Sequence, residues 1–368
     1  MRQRARLHGF HGSRKTGLIQ VANLETANSE LRYAPQKAQS SDVNSGQGVE
    51  GAPLLPHAEL PLHAVYFPMG FPLEVFSNSA AVMAVAEQSW KHFQPRFTDR
   101  SLDLRIQVTD DEDSPTPPSV PSCTLQWNIL LHVANARNFL VCDLRNGRSF
   151  GSITQSTAES PLYLRYYFLE GAALSMMTAL RAAPIHAACV CPRGSGMLLC
   201  GDSGAGKTSL SYAGARSGWI YVSDDASYLP LGRKDRLVIG NHHQIRFRSC
   251  AVEIFRELEG RPVTPRVAGK PSIEVPTSEL DGLVTADSAV IEYVIFLNRQ
   301  AGEDGLTMLS KDYALGWFKQ WCYTAPDEAR EIQYAALEHL LAVPIYELRY
   351  RDLGWAVRRL EQLAATGR

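Results

Sequence analysis

Residues 197–215 read MLLCGDSGAGKTSLSYAGA, and this stretch decides the fold. Met197–Cys200 is an unbroken apolar run, short enough for a buried strand. Gly201, Asp202, Ser203, Gly204, Ala205, Gly206, Lys207 and Thr208 then match G-x-x-x-x-G-K-[ST] at every fixed position, and Ser209 continues into a helical segment. Glycines in such a loop let successive backbone N–H groups converge on phosphate oxygens at the positive end of a helix dipole. The Lys207 ammonium is placed to reach β- and γ-phosphates, and the Thr208 hydroxyl to ligand Mg²⁺. Gly201 through Ser209 are therefore the candidate nucleotide-binding residues, with ATP and Mg²⁺ as the implied ligands.

Working outward, Gly218 closes the helix and Trp219–Ser223 is another apolar strand, followed at once by Asp224 and Asp225. A carboxylate at the C-terminal end of a strand adjacent to the loop strand stands where a metal-binding acid belongs. Two of them allow a division of labour, one in the Mg²⁺ shell and one accepting a proton from an attacking hydroxyl. The plainer alternative is a turn with helix-capping aspartates. Upstream, Ile185–Cys191 reads as a strand and Pro192–Gly196 as a turn, with His186 at the start of that strand. A lone histidine there is either a hydrogen-bonded core residue or a member of the site. Farther on, Val290–Asn298 (VIEYVIFLN) is a strongly apolar strand, Glu331–Leu341 a helix, Ile345–Arg349 a short strand and Leu353–Leu363 an amphipathic helix. Arg246 and Arg248 suit either an acidic substrate or phosphate, or a solvated strand face, and His242-His243 reads as loop. The alternation predicts an α/β fold whose nucleotide-binding domain spans residues 159–368.

The first ordered third has another texture. Ala80–His92 is a helix and Leu102–Val108 a strand, followed by an acidic, then proline-rich loop at Thr109–Ser122. Thr124–Val133 and Asn138–Leu144 read as strands, and Arg145–Arg148 as a hairpin turn into Ser149–Ile153. Residues 61–158 thus predict a smaller, strand-rich domain dominated by antiparallel pairs. Leu162–Arg181 has helical spacing, with Met176 and Met177 as core filler. Residues 1–60 are polar and lack periodicity, which predicts a disordered leader. Its arginines precede no apolar core, so it reads as a basic tail and not a secretory signal.

Composition narrows the function classes. Lys+Arg 37 against Asp+Glu 38 leaves a net charge of −1, which argues against a nucleic-acid binder or a protein gripping an anionic membrane. No apolar run reaches the ~18–20 residues of a membrane helix. Seven scattered cysteines, an odd number in a long chain, point to buried thiols in a reducing, cytoplasmic setting. Cys189-x-Cys191 is read as a strand with two small apolar side chains rather than a metal site. The oligomeric state is left open, a homo-oligomer included.

The arrangement I-H-A-A-C-V from Ile185, M-L-L-C-G-D-S-G-A-G-K-T from Met197 and W-I-Y-V-S-D-D from Trp219 resembles the catalytic domain of bacterial HPr kinase/phosphorylase and its wider group of HPr-kinase-like proteins. The resemblance covers about Pro184–Leu231, and continues more weakly through Ile245–Leu258, Lys270–Val275 and Val290–Asn298 to the end. It implies a P-loop core like that of phosphoenolpyruvate carboxykinase, and ATP-dependent phosphorylation of a protein serine. Carried over, Lys207 would contact the transferring phosphoryl group, Thr208 and Asp224 the Mg²⁺, and Asp225 would deprotonate the acceptor hydroxyl. His186 would line the same site. Two departures stand out. Ala226 replaces the arginine that follows the Asp pair in HPr kinase/phosphorylase proper, and that family's downstream glycine-rich loop, with its metal-binding Glu, is not recognisable. Asn241–Ile254 occupies that region, with Glu253 the one candidate acid. These departures argue against phosphorylase activity and against HPr as acceptor. The expected function is a Mg²⁺/ATP-dependent kinase for a serine-type hydroxyl of a protein or peptide, a peptide natural-product precursor among the candidates. A nucleotide-binding regulatory protein without transfer, or a small-molecule kinase, is the alternative.

Overall fold

The computed structural model describes residues 59–110, 118–264, 271–299, 302–322 and 326–368. The expected leader therefore lies almost wholly outside the described residues, as does the middle of the acidic loop.

Period-two alternation builds the first sheet. Leu73 and Val75 of LEVFS, and Leu102, Leu104 and Ile106 of LDLRIQVT, turn the same way and are buried together. Its seven strands are β1 (Leu62–Tyr66), β2 (Leu73–Ser77), β3 (Leu102–Thr109), β4 (Ser122–Gln126), β5 (Ile129–Val133), β6 (Phe139–Asp143) and β7 (Arg148–Thr154), in the order β1-β2-β3-β7-β6-β5-β4. β3 runs parallel to both β2 and β7 while the other pairs are antiparallel, so the sheet is mixed. The helix α1 (Ala80–Trp90) makes the crossover that parallel β2 and β3 require. The strand expected over Thr124–Val133 is in fact the hairpin β4–β5, turning at Trp127, whose φ is 54°. The β6–β7 turn forms as its sequence predicts, with Gly147 at φ 65° and Asp143 accepting from the backbone N–H groups of Arg145 and Asn146.

The helical run after β7 is not one uniform helix. Leu164–Leu169 is a π-helical segment leading into α2 (Glu170–Leu180). Both bury their apolar side against the first sheet, and Met176 and Met177 lie in the same core as Leu73, Leu104 and Ile106.

A second sheet of ten strands comprises β8 (Ala182–Ile185), β9 (Ala187–Cys191), β10 (Gly196–Cys200), β11 (Ile220–Ser223), β12 (Ser227–Pro230), β13 (Leu237–Gly240), β16 (Val284–Thr285), β17 (Ser288–Asn298), β18 (Gly305–Met308) and β19 (Ile345–Arg349). A separate hairpin pairs β14 (Gln244–Phe247) with β15 (Ile273–Pro276). In the large sheet the order runs β16-β11-β9-β10-β17, after which β17 pairs β13 along its first half and β19 along its second. Helices cover both faces. α3 (Lys207–Arg216) and α6 (Leu353–Thr366) pack on Val190, Met197 and Leu199; α4 (Lys311–Lys319) and α5 (Asp327–Leu340) pack on Cys189, Leu198 and Phe296. Cys189 and Cys191 are both buried on one face of β9, as the strand reading requires. Of the seven free cysteines only Cys250 is exposed. The chain is a mixed α/β protein. Among the described residues no helix is long and apolar enough to cross a membrane.

The strand expected over Ile185–Cys191 is broken at His186. Ile185 belongs to β8, which pairs with β12, whereas Ala187 begins β9, which pairs with β10. One continuous apolar segment thus serves two parts of the sheet, and the histidine stands at the break.

Candidate functional site around the glycine-rich loop

β9 and β10 are antiparallel neighbours joined by the turn Pro192–Gly194, and Ala187 pairs with Cys200. The start of β9 therefore lies beside the end of β10, and His186 faces the loop that opens at Gly201, though 21 residues separate it from Lys207. Gly206 caps α3 with φ 100°, a left-handed conformation that L side chains rarely adopt. A Cβ there would also lie 2.6 Å from the Tyr350 hydroxyl and 3.1 Å from Arg299 Cδ, so both backbone and packing demand glycine. Beyond it, the first turn of α3, with Lys207, Thr208 and Ser209, presents N–H groups that have no intrahelical acceptor.

Lys207 is buried, 5% exposed, and its ammonium is the hub of the site. Nζ donates to the Gly201 carbonyl at 2.6 Å and to His186 Nε2 at 3.0 Å, and stands 3.3 Å from Asp225 Oδ1. Burial pushes the His186 pKa down to about 4, against the pull of Asp225, so the imidazole is neutral near pH 7. Because Nε2 accepts from an ammonium, the ring proton is assigned to Nδ1, which faces Asp225 Oδ1 at 3.6 Å, too long for a hydrogen bond. The sequence left His186 as either core residue or site residue; it is 1% exposed and in contact with Lys207, so it is both buried and in the cluster.

The Asp pair reaches the loop by a different route from the one expected. β11 pairs with β9, not with the loop strand β10, so the acids approach across the intervening β9. Ser223 fixes this approach. Its Oγ accepts from Cys189 N at 3.1 Å and contacts Ser227 Oγ at 2.6 Å, and Ser227 donates to the Ala187 carbonyl, next to His186. Asp224 Oδ2 accepts from the backbone N–H of Arg246 at 2.9 Å. Burial, with Asp225 adding repulsion, raises the Asp224 pKa to about 6. Two adjacent carboxylates in such a setting form a negative site that a cation relieves. Among the described residues no group of three His, Cys, Asp or Glu side chains is arranged to hold a metal ion alone. Mg²⁺ commonly shares a protein carboxylate and hydroxyl with phosphate oxygens, and a site of that kind would draw on Asp224 and Thr208.

Three features escaped the sequence reading. Trp321 lies against the His186 ring, with centroids 4.2 Å apart, and Trp317 stands at 6.1 Å, so α4 and the turn after it wall one side of the site with indole. The Trp317-x-x-x-Trp321 spacing was the available signal, since residues four apart share a helix face. Arg246 is spoken for. It lies 3.5 Å from Glu274 Oε1, donates to the Tyr166 hydroxyl at 3.2 Å, and packs over the Tyr166 ring. Tyr166 in turn donates to Glu274 at 2.8 Å. Neither Glu274 nor Tyr166 carries a motif, so nothing in the sequence marked them. Glu253, the one candidate for a downstream acid, is exposed on the short turn Ser249–Glu253. Arg248 takes the other direction and donates from Nη2 to the Ser203 hydroxyl of the loop at 2.7 Å.

No protein-family model matches the chain, and no curated protein matches it. Among solved structures, the HPr(Ser) kinase/phosphatase from Coxiella burnetii is similar at 12% identity, with a TM-score of 0.30, over 50% of this chain and 95% of that chain.

Proposed function

We propose that this protein is a Mg²⁺-dependent phosphotransferase that moves the γ-phosphoryl group of ATP to a serine-type hydroxyl of a protein or peptide. The observation that carries the reading is the convergence of Lys207, His186 and Asp225 within 3.0–3.6 Å of one another at the mouth of the glycine-rich loop. Such a loop with one cation and one carboxylate supplies what in-line transfer needs, namely positioning and charge neutralisation. The N–H groups at the start of α3 hold the phosphates, and Lys207 turns from Asp225 toward the β- and γ-oxygens. Asp225, released from the ion pair, accepts the proton of the acceptor hydroxyl as its oxygen bonds to Pγ. The bond from Pγ to the bridging oxygen breaks and ADP leaves with that electron pair. Thr208 and Asp224 are the residues that would hold Mg²⁺, which when bound would supply additional neutralisation of the triphosphate. Neutral His186 accepts from the ammonium without competing for charge and keeps the lysine on its path.

The acceptor class rests on the resemblance of the His186, Gly201–Thr208 and Asp224-Asp225 constellation to protein-serine kinases of the HPr-kinase type. The rival reading is a nucleotide-binding regulator without transfer, and the Lys207–Asp225 ion pair, which occupies the base, favours it in the absence of nucleotide. Asp225→Asn separates the two. The variant should bind ATP as the wild type does, while transfer to a peptide acceptor, followed with labelled ATP, falls by roughly 10²–10⁴-fold, the usual contribution of a general base. Transfer at the wild-type rate would remove Asp225 from the mechanism, and a wild type that binds ATP but transfers to no acceptor would favour the regulator.

A further inference from the structure

The two arginines that flank Phe247 sit in different electrostatic settings. Arg246 faces the Glu274 carboxylate. Arg248 is half-buried, donates to the neutral Ser203 hydroxyl, and among the described residues forms no ion pair. A guanidinium carries five donors in a rigid fork matched to carboxylate or phosphate, and one of them is spent on a hydroxyl here. A partly desolvated cation with no counter-charge, fixed to the wall of an anion-binding loop, is poised for an anion.

Its position says which part of the anion. On the nucleotide-binding reading Lys207 serves the β- and γ-phosphates, and its Nζ rests against the carbonyls of Gly201 and Asp202, at 2.6 and 3.5 Å. Ser203 is the next residue of that same rim. The backbone N–H of Arg246 holds Asp224, so Arg248 reaches the rim from the carboxylate side, where the terminal phosphoryl group and the acceptor meet. The inner phosphates belong instead to the start of α3.

We propose that Arg248 is a terminal-phosphate-binding residue that lets the site distinguish a nucleoside triphosphate from the diphosphate. This rests on the nucleotide-binding reading above. Arg248 contacts the γ-oxygens and shares their charge with Lys207, and Ser203 holds the guanidinium in register before the nucleotide arrives.

The test is direct titration of the full-length protein with ATP and with ADP, each with Mg²⁺, for the wild type, Arg248→Gln and Arg248→Lys. Arg248→Gln removes the charge while keeping an unbranched polar side chain, and Arg248→Lys keeps the charge without the fork, so the pair separates charge from shape. Expected is a tenfold or greater loss of ATP affinity in Arg248→Gln with ADP affinity unchanged, the size usual for a hydrogen bond to a charged partner. Arg248→Lys should restore part of the preference for ATP. Equal loss of both nucleotides, or no loss of either, overturns the assignment and leaves the phosphotransferase reading intact. Unchanged ATP affinity with a raised KM for the peptide acceptor also overturns it, and moves Arg248 to acceptor binding. A wild type that binds neither nucleotide overturns both readings at once.

Discussion

Gly214 lies in the last turn of α3, where helix propensity and packing give opposite forecasts for a single methyl group. Replacing a helical glycine by alanine normally stabilises by about 0.8–1 kcal/mol, because glycine loses more backbone entropy on folding. At this position the new Cβ would lie 2.1 Å from Trp219 Cε3 and 2.4 Å from Cδ2, where ordinary contact starts at 3.4 Å. The obstacle is the body of an indole that is 1% exposed, and it is fixed at two points. Its backbone N–H bonds the Gly214 carbonyl at 3.0 Å, and its Nε1 donates to Glu361 on α6 at 3.0 Å. The helix or the ring has to move by more than an ångström. Overpacking of a rigid core costs about 1–3 kcal/mol, and the upper end applies where the neighbour cannot swing aside. Net of propensity, Gly214→Ala should lose roughly 2 kcal/mol. Urea unfolding followed by far-ultraviolet circular dichroism gives the number. An unfolding midpoint equal to or above that of the wild type would refute the reasoning, since it would mean that propensity outweighs the clash.

Two further expectations concern buried charge. Burial holds His92 and His132 at a pKa of about 4 and His243 at about 3, all below the usual value of 6.5. As pH falls through 6.5 the unfolded chain takes up protons that the folded chain refuses, so stability is complete above pH 6.5 and declines toward pH 4. The fully enclosed His132 alone contributes up to roughly 1.4 kcal/mol per pH unit across that window, and His132→Gln should flatten the slope; unfolding midpoints that stay level from pH 7.5 to 5 would contradict this. Arg246→Ala removes the cation that Glu274 and Tyr166 share and should cost about 3–5 kcal/mol, more than Arg246→Lys does. A loss below about 1 kcal/mol in the same urea titration would show that solvent, and not Arg246, balances Glu274.

The sequence declared the loop strand, α3 and β19 because each carries a local signature. These are an all-apolar run into glycines, a phosphate-loop consensus, and a short apolar strand between turns. What it hid was decided by partners distant along the chain. Nothing local shows that the apolar segment Ile185–Cys191 breaks at His186, since both halves are buried and only their pairing with β12 and β10 differs. The same holds for the Asp pair, whose placement across β9 depends on sheet order and not on the spacing from Lys207. Trp127 misled because a bulky residue at positive φ is an unfavoured turn former, so Thr124–Val133 read as one strand. In the site, motif residues were legible because backbone geometry constrains their types. Trp321, Glu274 and Tyr166 were not, because their roles arise from packing between elements that a linear reading cannot bring together.

The short turn at Pro192–Gly194 has a kinetic consequence. It makes His186, the loop and Lys207 neighbours through a hairpin followed by a single helix, so this half of the site closes over little chain. Local contacts carry a small loop-closure cost and form early in folding. The parallel pairing of β3 with β7 instead spans dozens of intervening residues and is a late event by the same criterion. The half of the site nearest the loop should therefore assemble before the first sheet is complete, and Asp224 and Asp225, which follow β11, join it only when β11 docks on β9.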